Sequence, residues 1–230
     1  TGFVAKNYWV DRRPTGDQMY VIAQSNEPDP VTGGTLYAGG VFRYSGTNWV
    51  PVGGNMGIQG PPGYPSYVQT LLTADVGNGT RPYIFGAFQT IDGNPIHAAA
   101  QWNGSAWVTV GTVPDFKPGY SFYGISHAIA FDDGSGNALY AVSQFVDGRI
   151  MKWNGTTWSS ASLGLPPPQT LDCQVYDPEP QLFVLAGSLY AWRAGYIETD
   201  NIFCNGPYAI DGTLYRWNPE TGWVLVGSPD

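Results

Sequence analysis

The side chains able to do chemistry are few in this chain, and their spacing limits it further. Its 230 residues include 2 His, 2 Cys and 10 Lys and Arg together. His97 precedes an alanine run and His127 opens an apolar stretch, so both read as structural residues. A copper or zinc centre built from histidines is not expected. No Gly-x-Ser-x-Gly, His-Glu-x-x-His or phosphate-loop pattern occurs. The 18 acidic residues leave room for a carboxylate pair acting on a glycosidic bond, a chemistry set by a separation that sequence does not give. Asp132-Asp-Gly-Ser-Gly-Asn137 begins like a calcium loop but lacks the downstream Glu, and it reads as a turn. Neither a metal nor a cofactor is expected.

Side chains suited to binding are more abundant. Tyr64, Phe116 and Tyr120 stand in proline-rich stretches. Trp192, Arg193, Tyr196, Glu198, Asp200 and Tyr208 stand in a long segment, Ser188 to Asp211, that reads as a loop insertion. Aromatic rings beside carboxylates suit a sugar, whose CH faces stack on rings while its hydroxyls donate to oxygen. They suit a protein partner equally, because Trp, Tyr and Arg dominate interface hot spots. Cys173 and Cys204 are too few for a disulfide scaffold and lack zinc spacing. One bridge between them would close a loop of about 30 residues and imply an oxidising compartment; two buried free thiols are the alternative. Asn78, Asn103 and Asn154 each open an Asn-x-Ser/Thr sequence. They read either as N-glycosylation sites of a secreted protein or as hairpin chemistry alone.

These residues need elements to position them, and composition points to strands. Aromatics make up 15% of the chain and charged residues 12%, with 31 Gly and 19 Pro. That fits short strands joined by tight turns. The net charge of −8 excludes the basic stripe of a nucleic-acid binder. No apolar run approaches the roughly 20 residues that cross a bilayer. The chain opens on Thr1 without an initiator Met, which reads as processing, excision or trimming.

An aromatic hairpin recurs four times: Tyr44-Ser-Gly-Thr-Asn-Trp49, Trp102-Asn-Gly-Ser-Ala-Trp107, Trp153-Asn-Gly-Thr-Thr-Trp158 and Trp217-Asn-Pro-Glu-Thr-Gly-Trp223. A short apolar stretch ending at or near Gly follows each, and two apolar runs precede it. Each unit therefore reads as four strands, A to D, over residues 1–54, 55–112, 113–164 and 165–230. In the fourth unit, A is expected at Leu171 to Tyr176 and B at Leu182 to Ala186. Asn and Gly together are expected to take the positive φ of the C–D turns. The second Trp of each hairpin is expected to bury against the adjacent unit.

These hairpins, with Tyr37-Ala-Gly-Gly-Val-Phe42 and Tyr83-Ile-Phe-Gly-Ala-Phe88, resemble kelch-like, galactose-oxidase-type propeller repeats of secreted proteins. The resemblance implies an all-β, single-domain β-propeller with four blades of four antiparallel strands, closed as a ring or forming part of a larger one. It covers architecture only, and no family active site transfers. D–A and B–C loops would share one end of the blades, and A–B and C–D turns the other. The expectation is a secreted or cell-surface module that binds a protein partner, itself or a glycan. It would be a structural or self-assembling surface component rather than an enzyme, with no nucleic-acid partner and no membrane insertion. A lectin and a carbohydrate-active hydrolase or lyase are the alternatives.

Overall fold

In a computed structural model the described residues are 4–11, 17–28, 35–53, 57–60, 66–113, 124–143, 150–165, 179–193, 196–198, 208–210 and 212–227. They form strands and turns and include no helix. The first sheet runs in chain order through β1 (Val4–Asp11), β2 (Gln18–Pro28), β3 (Thr35–Tyr44) and β4 (Trp49–Val52). Next come β5 (Ile58–Gln59), β6 (Tyr67–Ala74), β7 (Arg81–Ala87), β8 (Thr90–Ile91), β9 (Asn94–Pro95), β10 (Ala99–Trp102) and β11 (Trp107–Thr109). Of these, β6, β7, β10 and β11 make the second sheet, while β5, β8 and β9 make a small three-stranded one. The third sheet is β12 (Ile125–Asp132), β13 (Asn137–Ser143), β14 (Ile150–Trp153) and β15 (Trp158–Ser160). The last unit holds β16 (Gln181–Leu185), β17 (Ser188–Arg193), β18 (Tyr196–Glu198), β19 (Tyr208–Ile210), β20 (Thr213–Asn218) and β21 (Gly222–Gly227). There β16, β17, β20 and β21 form the fourth sheet, and β18 pairs β19 as a ribbon. All pairings are antiparallel, so each four-stranded sheet is a meander drawn from one sequence unit.

Two expectations need correction. In the fourth unit the run from Leu182 supplies the first strand, β16, and the second strand is β17, which begins the segment read as a loop insertion. A tight turn at Ala186 (φ 49°) and Gly187 (φ 74°) joins them. Leu171 to Tyr176 lies outside the described residues. The C–D turns also work differently. Only glycine takes the positive φ there, at Gly46, Gly104, Gly155 and Gly222. The asparagine is a cap instead: Asn103 Oδ1 accepts from the backbone N–H of Ser105 and Ala106, and Asn154 Oδ1 from those of Thr156 and Thr157. The A–B turns share a second device. Asp75 Oδ1 accepts from the N–H of Gly77 and Gly79, and Asp132 Oδ1 from those of Gly134 and Gly136, which makes Asp132 to Asn137 a turn.

The sheets pack in sequence order. β6 lies against β1 and β2, β12 against β6 and β7, and β16 against β12 and β13. Three apolar cores result. Tyr20, Ile22 and Val41 meet Leu71, Ile84 and Trp107; Leu72, Tyr83 and Phe85 meet Ile125, Leu139 and Met151; Tyr140, Val142 and Ile150 meet Leu182, Leu189 and Trp223. Sheets with neighbours on both sides must be apolar on both faces, and β7 and β13 are buried along almost their whole length. In the fourth sheet burial alternates along β17, with Leu189, Ala191 and Arg193 buried.

One contact recurs at every junction. The indole Nε1 of Trp107 donates to Val52 O (3.1 Å), that of Trp158 to Val110 O (2.6 Å), and that of Trp223 to Ala161 O (2.6 Å). Each acceptor lies three residues past the equivalent Trp of the preceding unit. Trp107 and Trp223 are buried, and Trp158 is half-buried. Trp223→Ala should cost about 3–5 kcal/mol, and Trp223→Phe, which keeps most of the ring volume but loses the donor, about 1 kcal/mol. Urea unfolding of the two variants against the wild type measures both; a Trp223→Ala loss no larger than that of Trp223→Phe would contradict the packing role.

Candidate functional site

A cluster of charged and polar side chains sits where the third sheet meets the fourth. Cross-strand pairing sets Tyr140 of β13 directly opposite Lys152 of β14, and the β12–β13 turn brings Asp133 over both. Asp133 Oδ2 accepts from Tyr140 Oη (2.6 Å) and Lys152 Nζ (2.6 Å), while its Oδ1 accepts from Ser135 Oγ (2.6 Å). Lys152 Nζ also donates to Ser135 Oγ (2.8 Å) and lies 5.7 Å from the Tyr140 ring centroid. Only 7% of the Asp133 side chain is exposed. Burial alone would raise its carboxyl, but the hydrogen bonds from Lys152, Ser135 and Tyr140 outweigh it and hold the group well below the usual carboxylate range. Burial, then the bond to ionised Asp133, pushes the Tyr140 phenol far up, so it stays a donor.

This cluster lines a groove of about 530 Å³ together with Gly134, Ser160, Ala161, Trp217 and Pro219. Trp217 Nε1 is buried there with no hydrogen-bond partner among the described residues. The groove therefore offers an ammonium beside a buried indole N–H, whereas its carboxylate already accepts from four donors, the backbone N–H of Ser135 being the fourth. Such a lining favours an acceptor group on a ligand and provides no free base. At the same junction His127 Nε2 lies 2.8 Å from Leu182 O. A carbonyl only accepts, so Nε2 carries the proton, and burial pushes the imidazole below its ordinary value despite that bond. Burial pushes His97 down as well. In the second sheet burial pushes Tyr83 up to about 12, and its hydroxyl has no hydrogen-bond partner among the described residues. Among those residues no three His, Cys, Asp or Glu side chains converge as metal ligands would.

Of the residues expected to bind, five lie on described strands. Trp192 and Arg193 are strand residues of β17, not loop residues. Arg193 is buried on the side of Leu189 and Ala191, and Trp192 is half-buried on the other. Tyr196 and Glu198 lie in β18 and Tyr208 in β19, where Tyr196 pairs Ile210 and Glu198 pairs Tyr208 in register. Tyr64, Phe116, Tyr120 and Asp200 lie outside the described residues, as do Cys173 and Cys204. Asn78, Asn103 and Asn154 are exposed in turns between strands. The stretch from Gln89 to Pro95 contains β8 and β9, folded back at Asp92 and Gly93. It is tied to the preceding connection by Gln89 N–H to Gln59 O and Gly57 N–H to Asp92 Oδ1 (both 2.8 Å). In the first sheet β2 and β3 stay paired as far as Pro28 and Thr35. The Asp133–Lys152 pair went unread because its partners are 19 residues apart, and only the β13–β14 register brings them together. No family model, curated protein or solved structure matches the chain.

Two stability predictions follow from these protonation states. The folded Asp133 pKa is depressed, so its contribution is present above its unfolded value near 3.8 and is lost as pH falls below that. Lys152→Met should cost about 1–3 kcal/mol near neutrality, with the gap to wild type narrowing in acid; urea midpoints across pH test this, and a gap that widens in acid refutes it. The folded His127 and His97 pKa values are lowered, so their contribution is present above about 6.5 and declines as pH falls through that value. The His97→Gln/His127→Gln double variant should flatten the stability loss between about pH 7.5 and 5. An unchanged slope would show that these imidazoles carry no such linkage.

Proposed function

We propose that the four sheets are blades of a β-propeller of the kelch-like kind, and that the chain serves as a secreted or cell-surface structural module that associates with copies of itself. The observation carrying this reading is that, among the described residues, four sheets share three cores. Large apolar side chains therefore lie exposed on the two outermost sheets: Tyr8, Tyr44 and Trp49 on the first, Phe183, Leu185, Val224 and Val226 on the fourth. Contiguous apolar surface of this kind marks protein contact sites. Asn78, Asn103 and Asn154 occupy turns rather than these faces, so glycans there would leave the faces clear. A Cys173–Cys204 bridge belongs to the same extracellular reading.

The module should sediment as species heavier than one chain, increasingly so with concentration. Because the faces are apolar, moderate salt should leave the association in place. Sedimentation velocity over a concentration series tests this, and a single-chain species throughout would count against the reading.

A further inference from the structure

The association surfaces can be read from the junctions inside the chain. Within each hairpin the two aromatic rings pack together, at 5.2 Å between centroids for Tyr44–Trp49, 5.7 Å for Trp102–Trp107 and 5.4 Å for Trp153–Trp158. From the second sheet onward, the second Trp of the pair donates to the carbonyl of the sheet before it. The pair also covers a glycine one residue beyond that carbonyl. A Cβ on Gly53 would lie 2.5 Å from Trp107 Nε1 and 2.9 Å from Trp102 Cζ3, and one on Gly111 would lie 2.6 Å from Trp153 Cζ3. At the third junction Ser162 takes the glycine's place, while the indole bond is kept.

The positions that break this series are the two at its ends. Trp49 has no sheet before it, is 44% exposed, and its Nε1 has no hydrogen-bond partner among the described residues. Val226 is 54% exposed, whereas its equivalents Val52, Val110 and Ala161 are buried. Gly227, equivalent to Gly53 and Gly111, would place a Cβ within 4 Å of nothing. Register extends both faces. Tyr44 pairs Trp49, Val21 pairs Phe42 and Tyr8 pairs Val21, so these residues share the outer face of the first sheet. Phe183 pairs Tyr190, and Val224 lies on the same outer face of the fourth sheet through its pairing with Arg216, which pairs Tyr190.

We propose that the outer face of the first sheet in one copy docks on the outer face of the fourth sheet in a second copy. It uses the same joint that links successive sheets within the chain: Tyr44 and Trp49 seat over Gly227, and Trp49 Nε1 donates to Val226 O. The occupant is a second copy because each face bears the parts the other lacks, and because no core joins the first and fourth sheets of one chain among the described residues. The contact is head-to-tail, so two copies joined at both ends close a ring of eight sheets, within the range of propellers.

This inference rests on the self-association proposed above and is tested with the full chain. Gly227→Val adds a side chain where the isolated chain has open space and no left-handed φ, and it obstructs the seat. Trp49→Ala removes the ring that fills it. Each variant should melt like the wild type, yet weaken association by at least about tenfold in sedimentation equilibrium. Each also keeps one end intact, so an equimolar mixture of the two should regain association that neither shows alone. Association undiminished in both variants would overturn this joint while leaving self-association standing. A wild type that stays a single chain at every concentration would overturn both.

Discussion

The arrangement of the sheets depends on one contact, an indole N–H reaching across a sheet junction to a backbone carbonyl. Tryptophan suits it because the ring supplies apolar area while the Nε1–H satisfies an acceptor that the junction would otherwise bury unpaired. The contact fixes distance and register together, since the acceptor stands three residues past the equivalent ring of the preceding unit at all three junctions. Glycine beside two of those acceptors lets the rings lie against backbone. The first and second sheets gain an additional tie at their leading strands, where Trp9 Nε1 donates to Thr73 Oγ1 (3.2 Å). Among the described residues the sheets pack in sequence order, so stability should accumulate junction by junction, as in repeat proteins.

The sequence made the hairpins legible because their signals are local. An aromatic, a turn with glycine and a second aromatic five or six residues on lie within one hairpin, and no long-range contact is needed to see them. The four-stranded sheet of each of the first three units was legible for that reason, whereas β5, β8 and β9 were not. The fourth unit misled because Leu182 to Ala186 and Ser188 to Trp192 are both apolar and are joined through Ala186-Gly187, which carries no Asn-Gly or Asp-Gly signal. The first strand was then sought too early and the second was mistaken for loop. Asp92-Gly93 did carry such a signal, but the two-residue strands beside it were too short to show a period.

The polar cluster shows why the site was less legible than the fold. Asp133, Tyr140 and Lys152 come from a turn and two strands, and only the register Tyr140 to Lys152 makes them one group. Once assembled, the cluster serves the fold more than chemistry. Four donors hold the Asp133 carboxylate in its charged form and bind the turn to β14, so it is not available as a base. Beside the cluster, the indole N–H of Trp217 is buried without a partner among the described residues. It stands at the junction where Ser162 replaces the glycine seen at the other two, and Ser162 turns its hydroxyl to the backbone of Ile150 instead.

The exposed faces cannot be explained by residue type, because the same types at equivalent positions are buried one sheet away. Val52 and Val110 are covered and Val226 is not; Trp107 and Trp223 are covered and Trp49 is not. What separates the members of each pair is the presence of a neighbouring sheet. Had the end positions been shaped for solvent, charge or small polar side chains would stand there, as Ser159 and Ser160 do on exposed parts of β15. Instead the ends keep the aromatic pair, the valine and the glycine of an internal junction. Two faces that between them hold the parts of an internal joint have the chemistry of surfaces that are covered when the assembly is complete.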